Sequence, residues 1–69
     1  MVGHKDVLDL AGRLGITVGY ELTRRGRLYT LDLADGHCLA CVLGASAAYM
    51  VLHAVDTWRA FGVARLTVA

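Results

Sequence analysis

The sequence predicts a single small α+β domain whose elements follow the order α-β-β-β-α-β. Three observations lead to this prediction: a helical hydrophobic period near the start, a period of two in the middle, and two hairpin turns that agree in register. The chain has 69 residues, which suits one domain over 1–69. We expect an antiparallel three-stranded meander with two helices on one face and a C-terminal strand.

The first predicted helix covers residues 5–14. Its apolar residues gather on one side and its charged residues on the other, as in an amphipathic helix. Gly15 follows directly and is placed to end the helix in a left-handed conformation. The side expected to face the core carries Val7, Leu8, Leu10, Ala11 and Leu14.

Three strands are predicted next, over 16–23, 28–34 and 37–43, because apolar and polar residues alternate there. Arg25-Gly26 and Asp35-Gly36 separate them as two-residue hairpin turns. Both turns place the apolar residues of the three strands on the same face of the sheet, and this agreement between the two registers supports the meander. That face carries Ile16, Val18, Tyr20, Leu22, Tyr29, Leu31, Leu33, Cys38, Ala40 and Val42.

These turns also predict the cross-strand partners. Leu22 is expected opposite Tyr29, and Leu33 opposite Cys38, so that Cys38 enters the core. A Cys-x-x-Cys spacing suits zinc or redox chemistry, but residues three apart on a strand point to opposite faces. Cys38 and Cys41 are therefore expected to be structural, and no metal or other cofactor is predicted.

A second helix is predicted over 46–61, with Ser46 as its cap and Gly62 after its end. A helical projection at about 100° per residue divides it into two sides. The side assigned to the core carries Ala47, Met50, Val51, Ala54, Val55, Trp58 and Phe61. The side assigned to solvent carries Tyr49, Leu52, His53, Asp56, Thr57 and Arg59. A last strand is predicted over 63–68.

Residues 37–55 contain no Asp, Glu, Lys or Arg over 19 positions. Such a run is long enough for a membrane-spanning helix, or it is a buried strand followed by a buried helix. Gly44, Ser46 and the Asp35-Gly36 turn favour the second interpretation, and a small single-span membrane protein remains an alternative. The net charge of +1 gives no net field that would draw the chain to nucleic acid or acidic lipid. The lack of a secretory signal at the start predicts a cytoplasmic protein with reduced cysteines.

Arg24, Arg25 and Arg27 are expected at the tip of the first hairpin, either as a phosphate-binding finger or as a solvated turn. The helix-three-strands-helix order over 5–61 resembles the double-stranded-RNA-binding fold and the HicA-type toxins, a resemblance that implies RNA binding or cleavage. The RNA-binding family has a Lys cluster where this chain has residues 45–48. The toxin family has a catalytic His near its first hairpin, where this chain has Arg.

Two groups of residues are candidates for protein contact. Tyr49, His53 and Asp56 lie at i, i+4 and i+7 on the second helix; a His beside a carboxylate suits acid–base chemistry, but no nucleophile or second carboxylate accompanies it. The other group is apolar and is expected on the outer face of the third strand, where neighbouring strands are polar. A twofold dimer would cover that group, which comprises Leu39, Cys41 and Leu43.

The sequence therefore predicts a small non-enzymatic protein-interaction module that forms a homodimer. The compact, Arg-biased chain resembles in style the small accessory proteins of bacteriophages that infect GC-rich actinobacteria, which implies a host protein as a partner and the host cytoplasm as the location. Nucleic-acid binding through the Arg hairpin is the alternative. The predicted protein-interaction residues are Leu39, Cys41, Leu43, Tyr49, Leu52, His53 and Asp56.

Overall fold

A computed structural model describes residues 1–68, with side chains from Met1 to Phe61. The element order confirms the predicted α+β class and its antiparallel meander. The elements are α1 (His4–Leu14), β1 (Thr17–Thr23), β2 (Gly26–Asp32), β3 (Cys38–Leu43) and α2 (Ala45–Val68).

Helix α1 follows the predicted amphipathic pattern, except that Leu8, assigned to the core side, is exposed. The backbone N–H of Gly3 donates to Asp6 Oδ2 at 2.8 Å, which closes the N-terminal turn around an acidic residue. At the other end Gly15 has a φ of 73°, the left-handed conformation that an L side chain rarely adopts. The side turned to the sheet buries Val7, Leu10 and Ala11.

The first hairpin has its turn at Arg24-Arg25, so the predicted Arg25-Gly26 turn is wrong. Tyr20 pairs with Tyr29, and Leu22 pairs with Arg27 instead of Tyr29. The hydroxyl of Thr23 stabilises this turn: it donates to the Gly26 carbonyl at 2.7 Å and accepts from the Arg25 N–H at 3.2 Å. The register shift is two residues, so every side chain keeps its predicted face.

The second hairpin contains a three-residue loop, Ala34-Asp35-Gly36, where the sequence predicts two residues. The Leu33 N–H donates to the His37 carbonyl at 2.8 Å, and the Gly36 N–H donates to the Leu33 carbonyl at 2.9 Å. Gly36 has a φ of 93°, as expected for a type I turn followed by a left-handed residue. The extra loop residue shifts the pairing of β2 with β3 by one residue next to the loop, so the predicted register can return only if one strand also has an extra residue.

A β-bulge at Leu39 provides this extra residue. Leu31 pairs with Ala40 as predicted, but the next pair is Asp32 with Cys38, so Leu39 is the extra residue of β3. Leu39 consequently packs against the core, and Cys38 is exposed together with Cys41. The predictions that Leu39 lies on the outer face, that Leu33 faces Cys38 and that Cys38 is buried are therefore wrong.

Helix α2 begins at Ala45, directly after Gly44, whose carbonyl accepts from the Ala48 N–H at 3.1 Å. It continues through Gly62 as far as Val68, so the predicted end near Phe61 and the predicted strand over 63–68 are wrong. A glycine inside a helix costs only about 1 kcal/mol relative to alanine, and it does not by itself end one.

The face of α2 that packs on the sheet also differs from the prediction. Ala48 and Leu52 are fully buried, although Leu52 was assigned to solvent. Met50, Ala54, Trp58 and Phe61, assigned to the core, are exposed. Because the helix is apolar on nearly every side up to Val55, its hydrophobic pattern does not select one face.

The core lies between the meander and the two helices. Tyr29 and Leu31 of the central strand are fully buried beneath α1 and α2. Over the residues that the structure describes, no helix is both long enough and apolar enough to cross a membrane. Among residues 1–61, the buried apolar residues are Val7, Leu10, Ala11, Ile16, Tyr29, Leu31, Ala48 and Leu52.

Candidate protein-interaction surface

A row of apolar side chains lies on one exposed face of α2, and we call it the α2 stripe: Met50, Ala54, Trp58 and Phe61. Their spacings of four, four and three residues place them on one helical face, over about 17 Å of helix. Met50 is 72%, Trp58 57% and Phe61 69% exposed. The stripe therefore presents three large apolar side chains to solvent.

A groove of about 530 Å³ runs along one side of the stripe, and we call it the Leu39 groove. It separates the β2–β3 hairpin from the middle of α2. Leu39 lines this groove because the bulge in β3 turns its side chain toward α2. Apart from the guanidinium at its end, the lining is apolar: Leu33, Leu39, Val51, Ala54, Val55, Trp58 and Arg59.

A shallower depression of about 400 Å³ lies beside the stripe, and we call it the Tyr49 depression. Tyr49, Met50, His53 and Ala54 line it. Ala54 also belongs to the Leu39 groove, so the small side chain of Ala54 connects the two hollows. Large side chains thus project at Met50 and Trp58, with a low point at Ala54 between them.

Arg59 holds this part of α2 against the rest of the domain. Its Nη1 atom donates to the Leu14 carbonyl at 2.6 Å, at the C-terminal end of α1. A guanidinium at that position satisfies a carbonyl that has no partner within the helix and suits the negative end of the helix dipole. The stripe is thereby carried by an anchored helix.

The predicted interaction residues of α2 fall in different environments. Tyr49 is half-buried and His53 is exposed, and both line the Tyr49 depression. Asp56 is half-buried, and no described hydrogen bond joins it to His53 or Tyr49. Leu52 is in the core, so its assignment to an interaction surface is wrong.

The outer face of the sheet keeps a smaller apolar group than predicted. Cys41 and Leu43 remain there, both exposed, and Leu43 pairs with the half-buried Leu28 of β2. The Cys41 sulfur lies 4.0 Å from the Thr30 hydroxyl, a weak polar contact. Without Leu39, this face is a less continuous apolar surface than the α2 stripe.

The three arginines of the first hairpin do not meet at its tip. Arg24 and Arg25 are exposed in the turn, whereas Arg27 lies on β2 with its guanidinium carbon 5.4 Å from the centre of the Tyr20 ring. Arg27 is on the face that carries Tyr20 because it pairs with Leu22. This cation–π contact uses one of the three groups proposed for phosphate binding.

Sequence reasoning missed an aromatic cluster beside the hairpin. The His4 ring meets the Tyr20 ring edge-on, with centroids 4.5 Å apart, and its Nδ1 atom lies 2.8 Å from the Tyr29 hydroxyl. His4 lies one residue outside the predicted first helix, and no local pattern indicated its contact with the central strand. For the α2 stripe, the sequence offers one indication of exposed apolar side chains: α2 carries more apolar residues than a single buried face can hold.

The β2–β3 loop carries a local electrostatic feature. The His37 N–H donates to Asp35 Oδ1 at 3.0 Å, and His37 Nδ1 lies 2.9 Å from Asp35 Oδ2. These contacts, the backbone one foremost, lower the pKa of the Asp35 carboxyl below its ordinary value of 3.8. Among residues 1–61, no group of His, Cys, Asp and Glu side chains is arranged to hold a metal ion.

Comparison with known proteins adds no assignment. No protein-family model matches the chain, and no curated protein or solved structure is significantly similar to it.

Proposed function

We propose that this chain is a small non-enzymatic protein-interaction module that binds through the α2 stripe and the two hollows beside it. The observation that carries the proposal is the exposure of Met50, Trp58 and Phe61 on one face of one helix. A fully buried large apolar side chain gains roughly 1.5–3 kcal/mol over an exposed one. A partner that covers the stripe would recover part of this free energy, and aromatic residues and Met are enriched in protein interfaces.

The arginine positions favour this proposal over nucleic-acid binding. A phosphate-binding surface needs several unengaged cationic groups on one side of the protein. At the hairpin Arg27 is stacked on Tyr20, and beside the stripe Arg59 donates to the Leu14 carbonyl. The stripe itself carries no charge, which suits the desolvated centre of a protein interface.

We also propose that the module acts in the cytoplasm, as an accessory protein encoded by a bacteriophage that redirects a protein of its host. The compact, arginine-biased composition of the whole chain supports this part of the proposal.

Site-specific photo-crosslinking tests the interaction surface. A benzophenone amino acid at position 58 should form adducts with protein, both in the purified chain at tens of micromolar and in the cells that naturally express it. The matched control places the same group at position 22, because Leu22 is an apolar residue that is 76% exposed but distant in sequence from α2. Equal adduct yields at both positions, or none at position 58 in either setting, would contradict the proposal.

A further inference from the structure

We propose that a second copy of this chain occupies the α2 stripe, with the two α2 helices antiparallel and crossing at Ala54. This inference rests on the proposed function and names its partner. It also moves the expected homodimer from the outer face of the sheet to the helix. Four features of the stripe carry it: spacing, shape, area and charge.

Three residues of the stripe, Met50, Ala54 and Trp58, are spaced symmetrically about Ala54, and Phe61 lies beyond this symmetrical part. Met50 precedes Ala54 by four residues and Trp58 follows it by four. When two identical helices pack antiparallel around a twofold axis at Ala54, a residue n positions after Ala54 lies opposite the residue n positions before it. Trp58 therefore meets Met50 of the second copy, and this contact forms twice, as a twofold interface requires.

The shape of the surface is self-complementary in the same arrangement. The small Ala54 side chain lets two helix backbones approach closely at the crossing point. On either side of it, the projecting Trp58 has a recess to enter, because the Tyr49 depression of the second copy is lined by that copy's Met50 and His53. Sulfur–aromatic contact between Met and Trp is favourable.

The exposed aromatic side chains supply a large part of the area that a small dimer buries. An aromatic side chain presents roughly 150–250 Å², so Trp58 and Phe61, at 57% and 69% exposed, leave roughly 200–300 Å² in water. Met50 and the lining of the Leu39 groove increase this area. Because a twofold interface uses the patch twice, Trp58 and Phe61 of the two copies supply roughly 400–600 Å² of the about 1,000 Å² that a specific interface needs.

Charge does not oppose this association. The four stripe residues are uncharged, the chain has a net charge of +1, and Arg59 is directed to the Leu14 carbonyl. Two copies can therefore approach without burying like charges. The polar outer face of the sheet, with Thr17, Glu21 and Thr23 exposed, offers no comparable surface.

Cysteine pairing tests the geometry of the complex. In a background with Cys38→Ser and Cys41→Ser, both exposed positions, Ala54→Cys should form a disulfide-linked dimer on mild oxidation. Met50→Cys and Trp58→Cys should each pair poorly alone but should link when the two variants are mixed. Self-linkage of Met50→Cys alone would indicate parallel helices and overturn the proposal, as would Ala54→Cys pairing no faster than the control Leu22→Cys.

Sedimentation measures the association itself. The wild-type chain should be dimeric at tens of micromolar, and Trp58→Glu should weaken the dimer roughly 30-fold or more, as expected for an interface hot spot. Leu22→Glu, the matched charge insertion outside the stripe, should leave the dimer unchanged, and circular dichroism should confirm that both variants fold. A monomeric wild type overturns the dimer; if position 58 still crosslinks another protein, the proposed function stands without it.

Discussion

The Nδ1 atom of His4 lies 2.8 Å from the hydroxyl oxygen of Tyr29, and this hydrogen bond joins the first turn of α1 to the middle of the sheet. Tyr29 is fully buried, so its hydroxyl depends on this partner. A buried polar group without a partner loses the hydrogen bonds that it makes to water in the unfolded chain. His4 therefore allows a tyrosine, with its polar end, to occupy the centre of the core.

His4→Ala is expected to destabilise the domain by about 1–3 kcal/mol, because it leaves the Tyr29 hydroxyl buried without a partner. Tyr29→Phe should cost less, about 0.5–1.5 kcal/mol, since the half-buried His4 can still reach water. Urea unfolding of both single variants and the double variant measures the coupling. If His4→Ala costs the same in the wild-type and Tyr29→Phe backgrounds, the hydrogen bond does not stabilise the fold.

The helix-facing side of the sheet is buried at its centre, where Leu31 lies, and exposed at one end, where Leu22 lies. Leu31 is fully buried, whereas Leu22 is 76% exposed. Leu31→Ala should therefore lower the free energy of unfolding by roughly 2–5 kcal/mol. Leu22→Ala, the same change on the same face, should shift it by less than about 0.5 kcal/mol. Equal denaturation midpoints for the two variants would contradict the assignment of the core.

The sequence predicts the strand order of the meander and the amphipathic face of α1 because their patterns are unambiguous, although both hairpin turns differ from the prediction. In α1, polar residues oppose Val7 and Leu10, so one face is selected. In the sheet, a period of two assigns Tyr29 and Leu31 to the core even though the first hairpin shifts by two residues. A shift by an even number of residues leaves the faces unchanged, which makes this part of the prediction robust.

The candidate surface was harder to predict for two physical reasons. Helix α2 is apolar on several sides, so the tertiary contacts of Leu52 with the core, rather than any local period, decide that Met50 faces solvent. The position of Leu39 depends on the choice between a two-residue and a three-residue loop at 34–36. That choice adds a bulge and turns one side chain to the opposite face.

Leu52 and His53 are neighbours with opposite environments, and they test the orientation of α2. Leu52→Ala should cost roughly 2–5 kcal/mol because it leaves a cavity in the core. His53→Ala should change stability by less than about 0.5 kcal/mol, because His53 is exposed. Thermal unfolding of the two variants provides the comparison. A larger loss for His53→Ala would mean that the helix is rotated.

The bulge in β3 predicts the reactivity of the two cysteines. Both Cys38 and Cys41 are exposed, so a thiol reagent should label both in the native protein. Mass spectrometry of Cys38→Ser and Cys41→Ser variants would give each rate separately, with urea-unfolded protein as the reference for full access. Strong protection of Cys38 alone would show that strand alternation continues through Leu39 without a bulge.

Asp35 predicts a pH dependence in the β2–β3 loop. Hydrogen bonds from His37 hold the pKa of its carboxyl below 3.8 in the folded chain, so the ionised form stabilises the native loop. This stabilisation is complete above the pKa of the unfolded chain and disappears as the pH falls through the lower folded pKa. The wild type should therefore be more stable than Asp35→Ala near neutral pH, and the difference should vanish in strong acid. Asp35→Asn, which keeps an acceptor for the His37 N–H but does not titrate, is the control. An Asp35 pKa at or above 3.8 in a carboxyl NMR titration would contradict this prediction.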